Sequence, residues 1–240
     1  MPAAAPSPGR ARVRRWVVRL ALSWLAVTLG PVVLFRFVDP PTTAFILERR
    51  WEALSQQQAR FAVRQQWVPL SKVSPHLRLA VIAAEDQKFP GHFGFDVEAI
   101  EDALEDRLEG KSKRGASTLT QQVAKNLFLW PARSFVRKGL EAYFTVLLEA
   151  CWPKWRILEV HLNVAEFGDG VYGVEAASRL NFGVPASAVG PHEAALLAAV
   201  LPNPRARKVT APTPAVAQRV RWIEDQARRL GPDTLSRVGP

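Results

Sequence analysis

The chain has 240 residues, enough for one domain with an appended segment or for a small two-lobed domain, and 48% of them are hydrophobic. Its formal net charge of +10 fits nucleic acid, anionic lipid headgroups or phosphorylated substrates as partners, without choosing among them. The single cysteine, Cys151, excludes an intrachain disulfide and any zinc site that is built on several cysteines.

The N-terminal segment predicts a membrane anchor. Residues 1–15 are rich in proline, alanine and arginine and are expected to form a disordered basic tail in the cytoplasm. The apolar run 16–38 follows, and with its ends included it approaches the ~20 residues that span a bilayer. Because arginines cluster before the run, the remaining chain is expected outside the cytoplasm. A cleaved signal peptide is the alternative, although no small-x-small cleavage pattern follows the run.

The rest of the chain predicts a mainly α-helical protein. Helical stripes recur, as in 133–150 and 213–230, and no segment shows a convincing strand pattern. Residues 39–64 are assigned to a juxtamembrane segment, 65–230 to a folded domain and 231–240 to a tail.

The helix that follows Asp96 is predicted from a cap and an apolar stripe. Asp96 is expected to cap it, with Val97, Ile100, Leu104 and Leu108 on its inner face.

The first candidate site residue is Glu85. It ends the apolar run 79–84, where a carboxyl group would be partly desolvated and its pKa raised, as a general acid or base near neutral pH requires. A carboxylate at a solvated helix end is the plainer interpretation. The motif continues through Asp86, Phe89 and His92. Asp86 can hold a backbone or basic partner, and His92 lies in a tight loop between glycines, where a structural role is common.

A second helix carries amides, hydroxyls and one lysine, but no carboxylate. Ser117, Gln121 and Lys125 are spaced four residues apart and share one helical face. That face suits an anionic or sugar-like ligand, although a solvated surface is the simpler alternative. The basic loop 110–115 before it is expected to cover the site as a mobile lid. The candidates from this helix are Ser117, Thr118, Gln121, Gln122, Lys125 and Asn126.

A third cluster consists of Arg137, Lys138 and Glu141. On a helix Glu141 reaches both cations, because it lies four residues after Arg137 and three after Lys138. Spacing alone favours a surface ion pair worth about a few tenths of a kcal/mol. The alternative is a pyrophosphate site in which Glu141 orients the cations or holds a divalent metal. Glu166 and Asp169, in a later turn, are weaker site candidates.

These motifs, in this order, resemble those of the peptidoglycan glycosyltransferases that polymerise lipid II, specifically the monofunctional biosynthetic type. The length leaves no room for a C-terminal transpeptidase domain. His161 and Asn181 stand where the family usually has tyrosine, and both are interpreted as packing positions. The resemblance covers roughly 65–225, and the matching stretches are 85–96, 115–129, 137–141, 156–177 and 193–204.

The resemblance implies a lysozyme-like domain with two helical lobes, a cleft between them, and one lobe touching the membrane. Glu85 would be the general base that takes the proton from the 4-hydroxyl of the acceptor lipid II. The growing chain would be the donor, attacked at C1 with inversion, giving a β-1,4 bond and undecaprenyl pyrophosphate. Glu141 would be the second catalytic residue and would, with Lys125, Arg137 and Lys138, stabilise the leaving pyrophosphate.

The resemblance also implies the partners and the location. No cofactor is expected to be obligatory, and Mg²⁺ at Glu141 is a candidate. The protein is expected in the inner membrane, spanning it once, with the catalytic domain on the periplasmic side, and cell-division or cell-wall synthesis proteins are candidate partners. The residues that would contact substrate are Asp86, Phe89, His92, Ser117, Thr118, Gln121, Gln122, Lys125, Asn126, Arg137 and Lys138.

Three other functions compete with this interpretation. A lysozyme-like lytic transglycosylase or hydrolase also relies on one glutamate, but acts on finished glycan and needs no cations for a pyrophosphate. A membrane-anchored scaffold that holds anionic lipid would need neither Glu85 nor the 117–126 helix. A nucleic-acid binder is disfavoured, because the basic residues are dispersed and the chain is predicted outside the cytoplasm.

Overall fold

The computed structural model describes residues 8–59, 61–109, 117–132 and 134–239. The chain divides into two units at the boundary between Val38 and Asp39. The loop predicted to cover the site, 110–115, lies outside the described residues.

The first unit is a single long helix, α1 (Pro8–Phe37). Its segment Arg12–Phe37 is long and apolar enough to cross a membrane, since 26 helical residues extend about 39 Å and a bilayer core is about 30 Å thick. The predicted N-terminal apolar helix is therefore confirmed. Residues 8–15, which were expected to be disordered, belong to the helix, because the arginines there are good helix formers and extend it.

The second unit confirms the mainly helical prediction. Short 3₁₀ turns at Leu70–Lys72 and Ala186–Ala188 join some of its helices. In the described residues of this unit the helices are α2 (Ala44–Ser55), α3 (Pro75–Glu85), α4 (Val97–Leu108), α5 (Leu119–Phe128), α6 (Phe135–Cys151), α7 (Lys154–Val164), α8 (Val174–Phe182), α9 (Pro191–Val200), α10 (Pro214–Leu230) and α11 (Asp233–Val238).

A small sheet is the element that the sequence did not predict. Its strands β1 (Arg64–Gln65), β2 (Glu166–Gly168) and β3 (Val171–Tyr172) lie in the order β1-β3-β2, with β1 parallel and β2 antiparallel to β3. Strands of two or three residues are too short to show alternation between apolar and polar positions. The sheet therefore leaves no periodic signal in the sequence.

Two groups of helices form the core around the site. In the first group α9 packs against α3 and α10, and its side chains are apolar nearly all round, as a fully surrounded helix requires. In the second group α5 packs against α6 and α7. The C-terminal end of α3 meets the N-terminal end of α5, because Asp86, directly after α3, accepts a hydrogen bond from the backbone of Leu119.

The segments predicted to flank the folded domain are part of the second unit. Helix α2 of the juxtamembrane segment packs against α5 and buries Ile46 and Ala53. Helix α11 of the predicted tail packs against α3 and buries Thr234 and Val238. Burial of these side chains extends the compact unit beyond both predicted boundaries.

Helix α4 confirms one prediction and contradicts another. Asp96 caps it as expected, accepting a hydrogen bond from the backbone of Ala99 at 3.1 Å. Val97 and Ile100, expected on an inner face, are 61% and 42% exposed, because no element that packs extensively against α4 lies in the described residues. The side chains of Leu104 and Leu108 lie outside the described set.

Candidate active site

Glu85, the last residue of α3, has its carboxylate held from two sides. Gln122 of α5 donates from Nε2 to Oε2 of Glu85 at 2.9 Å. Arg219 of α10 donates from one terminal nitrogen to Oε1 at 3.3 Å, and the same nitrogen donates to the carbonyl of Ala84 at 3.2 Å. Two helices that are distant in sequence thus fix the orientation of this carboxylate.

The apolar surroundings of α3 set the proton affinity of Glu85. Its side chain is only 13% exposed, and burial raises the pKa of the carboxyl group. The hydrogen bond from Gln122 and the positive charges of Arg219, Lys125 and Arg207 act in the opposite direction. The pKa of Glu85 is therefore raised, in the direction that the sequence predicts, and its role as a general base stays a prediction.

A cavity of about 310 Å³ opens beside Glu85. The aromatic side chain in its wall is Trp222, which is 44% exposed and lies one turn after Arg219 on α10. Polar groups from α3, the turn after it, α4 and the start of α5 also line the cavity: Glu85, Asp86, Gln87, Lys88, Asp96, Asp102, Ser117 and Thr118. A polar cavity with one exposed aromatic surface suits a sugar, whose ring has both hydroxyl groups and apolar C–H faces.

Asp86 connects α3 to α5, and both of its carboxylate oxygens are hydrogen-bonded within the protein. Its Oδ2 accepts from the backbone of Leu119 at 2.9 Å, and its Oδ1 is 2.8 Å from Nε2 of His92. The Nδ1 of His92 accepts from the backbone of Gly94 at 3.1 Å, so Nε2 carries the hydrogen and donates to Asp86. Both side chains, predicted as substrate contacts, are used to hold the protein together.

The start of α5 is closed by a reciprocal cap. Thr118 accepts from the backbone of Gln121 at 3.2 Å, and the side chain of Gln121 accepts from the backbone of Thr118 at 3.0 Å. The hydroxyl of Thr118 also donates to the carbonyl of Gly94 at 2.7 Å. Gly94 has a φ of +82°, and a Cβ there would lie 2.6 Å from Thr145, so only glycine fits this turn.

Of the remaining first-motif candidates, Phe89 lies in the core. Its ring is fully buried, and the ammonium of Lys154 lies 4.6 Å from the ring centroid. A role in direct contact with substrate does not fit a side chain that no ligand can reach. Phe89 instead supports the turn that carries His92.

Lys125 interacts electrostatically with both Glu85 and Glu141. In the described part of the chain its ammonium makes no hydrogen bond or ion pair, and it lies 5.5 Å from the centroid of the Phe45 ring. Burial lowers the pKa of Lys125, and the charges of Glu141 and Glu85 oppose that shift. The lysine therefore lies within the electrostatic reach of both carboxylates, with its ammonium available to an anion.

Glu141 forms the ion pairs that the spacing predicts, but it is buried. Arg137 donates to Oε2 at 2.6 Å and Lys138 donates to Oε1, while the side chain of Glu141 is 4% exposed. The ammonium of Lys138 also lies 3.4 Å from the hydroxyl of Ser117 on the exposed start of α5. A buried carboxylate that holds two cations is an orienting group rather than a solvated surface pair.

The arrangement does not fit a magnesium ion at Glu141. Both carboxylate oxygens accept from cationic donors, and Mg²⁺ needs oxygen ligands that are free to coordinate it. Within the described residues no group of three histidine, cysteine, aspartate or glutamate side chains is placed to hold a metal. In this arrangement Glu141 is an ion-pair partner of Arg137 and Lys138 and has no oxygen free for a magnesium ion.

The other polar side chains of α5 take different positions. Gln122 contacts Glu85, as described above. Asn126 is half-buried, and its side chain has no hydrogen bond to another described residue. Its predicted contact with substrate stays a prediction.

Within the matching stretch 156–177, two side chains of α7 hold another segment of the fold in place. Asn163 accepts from the backbone of Val68 at 2.8 Å and donates back to its carbonyl at 2.9 Å. Glu159 accepts from the backbone of Leu70 at 2.6 Å. These bonds anchor the segment before α3 on α7. The weaker candidates are tied elsewhere, Glu166 to Arg205 at 3.3 Å and Asp169 to Arg49 at 2.8 Å.

The two residues that depart from the family pattern are both in helices. His161 in α7 is fully buried, and neither ring nitrogen has a partner among the described residues. Burial, with a smaller contribution from the charge of Lys125, lowers the pKa of His161 to about 3. Asn181 in α8 donates to the carbonyl of Ala177 one turn back at 2.8 Å.

Arg219 and Trp222 were missed by the sequence analysis. The buried stripe of α10 contains Val216, Val220 and Ile223, and Arg219 lies on the same side of the helix, three residues after the first and four before the last. A charged residue within an apolar stripe needs a buried partner, and that signal was available in the sequence.

A family model described as transglycosylase matches residues 52–228, a range that contains every candidate site residue. The chain belongs to the transglycosylase family. The resemblance inferred from the motifs is thereby confirmed.

Curated relatives of this transglycosylase carry the name biosynthetic peptidoglycan transglycosylase. The protein from Shewanella oneidensis is 53% identical over 230 residues, which are 96% of this chain and 97% of that protein. The protein from Aeromonas hydrophila is 51% identical over 220 residues, or 92% of each chain. The protein from Xanthomonas campestris pv. campestris strain B100 is 49% identical over 225 residues, 93% of this chain and 92% of that protein.

Proposed function

We propose that this transglycosylase polymerises lipid II into β-1,4-linked glycan strands and releases undecaprenyl pyrophosphate. The family and the names of the relatives support a peptidoglycan glycosyltransferase. The observation that carries the finer proposal is the position of Lys125. Its ammonium is electrostatically coupled to both Glu85 and Glu141, and it has no hydrogen-bond partner in the described chain. A base and a cluster of cations therefore belong to one site.

Glu85 acts on the acceptor. Its carboxylate takes the proton from the 4-hydroxyl of the acceptor sugar, and that oxygen attacks C1 of the donor from the face opposite the leaving group. The new C1–O4 bond forms with inversion, and the bond from C1 to the pyrophosphate breaks with its electron pair on the leaving oxygen. The hydrogen bond from Gln122 and the contact from Arg219 hold the base in place during this transfer.

The cations act on the donor. A leaving pyrophosphate gains negative charge as the C1–O bond breaks, and fixed positive groups stabilise that charge without reorganising. Lys125, Arg137 and Lys138 supply three such groups. Glu141 holds the latter two through its buried ion pairs, so that they are oriented before the substrate binds.

The same cations distinguish a glycan polymerase from a lytic enzyme. A lytic transglycosylase or hydrolase that acts on finished glycan would need Glu85 and the sugar-sized cavity beside it. It would have no leaving pyrophosphate for Lys125 and the Arg137–Lys138 pair to stabilise. Lys125 acts on Glu85, and Lys138 contacts Ser117 in the wall of the cavity beside Glu85, so cations belong to the same site as the proposed base and favour the polymerase.

Membrane attachment is the second component of the proposal. Helix α1 would anchor the chain in the inner membrane as a single span, with the second unit on the periplasmic side. Both substrates are lipid-linked, so an anchor keeps the enzyme in the plane where donor and acceptor diffuse. The membrane and the lipid-linked glycan chain would thus be its permanent partners.

The test uses the full chain, purified in detergent and incubated with lipid II. We expect the wild type to make a polymer that lysozyme digests, and Glu85→Gln to lower turnover by about 10²–10⁴ while the melting temperature changes little. Lys125→Ala and Glu141→Gln should also lower turnover strongly, through loss of leaving-group stabilisation.

The matched control is Asp225→Asn, which removes an exposed ion pair with Arg229 at the same i,i+4 spacing on α10. Its turnover should equal that of the wild type. Normal turnover in Glu85→Gln would remove the base assignment. Glu141→Gln behaving like Asp225→Asn would remove the leaving-group assignment.

A further inference from the structure

Arg219 lies on a helix face that otherwise packs into the core. It belongs to the same stripe of α10 as Val216, Val220 and Ile223, which are buried. A guanidinium group on such a face loses hydration, and this loss must be offset by hydrogen bonds or by an opposite charge. The opposite charge is Glu85, 134 positions earlier in the chain.

The contact of Arg219 with Glu85 has a specific geometry. One terminal nitrogen donates to Oε1 of Glu85 at 3.3 Å and to the carbonyl of Ala84 at 3.2 Å. The guanidinium thus bridges the carboxylate and the backbone next to it. Because Gln122 holds the other oxygen at 2.9 Å, rotation of the carboxylate group is restricted at both ends.

The charged groups around Glu85 come from several elements. Lys125 approaches from α5, Arg207 from the segment that follows α9, and Arg219 from α10, and all three favour the ionised carboxylate. Helix α9, which also packs against α3, faces it with apolar side chains. Arg219 has the largest effect of the three charges and is the one that touches the carboxylate.

We propose that Arg219 is a positioning residue that orients the carboxylate of Glu85 and keeps it ionised at the working pH. This inference rests on the proposed function, in which Glu85 is the general base. Arg219 does not contact substrate in this scheme. It counteracts the burial that would otherwise protonate the base, and it fixes the oxygen that receives the proton.

The experiment measures kcat and KM for lipid II across the acid limb of the pH–rate profile in the full chain. Arg219→Gln should move that limb to higher pH, because the pKa of Glu85 rises when the neighbouring charge is lost. At a pH below the new pKa of Glu85, turnover should fall about tenfold for each pH unit below that pKa. It should recover in alkaline buffer, where Glu85 is ionised again. KM should change little.

Arg219→Lys separates charge from geometry. It retains the positive charge, so the acid limb should stay near its wild-type position, whereas kcat should fall because one ammonium replaces the guanidinium bridge. The matched control is Arg221→Gln, an exposed arginine two positions further along α10. Its profile should match that of the wild type.

The outcomes distinguish the inference from the function on which it rests. If Arg219→Gln loses turnover equally at every pH, or keeps the wild-type profile, Arg219 has a structural role and the inference is wrong. If Arg219→Gln does not fold, Arg219→Lys decides. A wild-type kcat in Arg219→Lys would overturn the inference, whereas a lowered kcat with the acid limb of the pH–rate profile unchanged would support it. Retained turnover in Glu85→Gln would instead show that the proposed base is wrong.

Discussion

At the scale of single residues, His161 is the side chain whose environment is least compatible with its chemistry. It is fully buried in α7, and both ring nitrogens lack partners in the described part of the chain. A buried polar group without a hydrogen bond costs about 1–3 kcal/mol. The sequence shows a histidine within a helix but not its surroundings, which depend on the packing of α7 against α5.

We predict that His161→Phe increases the free energy of unfolding by about 1–3 kcal/mol near neutral pH, because an apolar ring of similar shape has no unpaired nitrogen. The variant should also change the pH dependence of stability. The pKa of His161 is lowered from 6.5 to about 3. Between these two pH values His161 is protonated in the unfolded chain and neutral in the folded chain. Wild-type stability should therefore decline as pH falls from 6.5 towards 3, by up to about 1.4 kcal/mol per pH unit.

Denaturant unfolding at several pH values, in detergent, measures both effects. The variant should show a shallower decline below pH 6.5 than the wild type. His76→Gln is the control, because His76 is exposed on α3 and its loss should leave the slope unchanged. Equal slopes in His161→Phe and the wild type would contradict the buried neutral histidine.

At the scale of elements, the junction between α3 and α5 determines the position of Glu85, the proposed base. Glu85 is the last residue of α3, and the next residue, Asp86, accepts hydrogen bonds from the start of α5 and from His92. The position of Glu85, the proposed base, relative to Gln122 therefore depends on the hydrogen bonds of the neighbouring Asp86. The sequence marks both acidic residues, and only the fold assigns them different tasks.

We predict that Asp86→Asn lowers the free energy of unfolding by about 1–3 kcal/mol and also lowers kcat. Both partners of Asp86 are donors, the backbone of Leu119 and Nε2 of His92, so an amide must present its own NH₂ to one of them. Urea titration and turnover measured on the same preparation check the two effects. Glu101→Gln, at an exposed position on α4, should change neither. A wild-type melting curve for Asp86→Asn would show that the junction is held by other contacts.

The elements themselves differ in how well the sequence predicts them. Long stripes such as those of α6 and α10 give a strong helical signal. The strands β1, β2 and β3 are too short to leave a pattern. The apolar stripe of α4 correctly predicts a helix, but the burial predicted for Val97 and Ile100 is wrong. Apolar spacing indicates a helix and does not show that another element packs against its apolar face.

At the scale of the whole molecule, the motifs predict the parts of the site but not the way they meet. Glu85, the polar start of α5 and the Glu141 cluster were all selected from their local patterns. That Lys125 connects them, and that Arg219 reaches Glu85 across 134 positions, depends on tertiary packing that no local pattern in one sequence records. The missed residues Arg219 and Trp222 are accordingly contributed by α10, which is far from the other motifs in sequence.

The proposed orientation in the membrane rests on the charge distribution along the chain. The N-terminal part of α1 contains five arginines, at positions 10, 12, 14, 15 and 19, and an uninterrupted apolar run begins directly after them at Leu20. Positive residues are retained on the cytoplasmic side during insertion. Arg36, Arg49 and Arg50 on the far side weaken this bias without cancelling it.

We predict that the second unit lies outside the cytoplasm and that α1 is not removed. An alkaline phosphatase fused after residue 240 should be active, and a fluorescent reporter fused at the same position should be dark, because the first folds only outside the cytoplasm and the second only inside. An N-terminal tag should stay on the full-length chain, which a cleaved signal peptide would lose. Replacing the five arginines with alanine should lower phosphatase activity by inverting part of the population. A bright reporter and an inactive phosphatase on the unaltered chain would place Glu85 on the side away from periplasmic wall synthesis and contradict the proposed substrate.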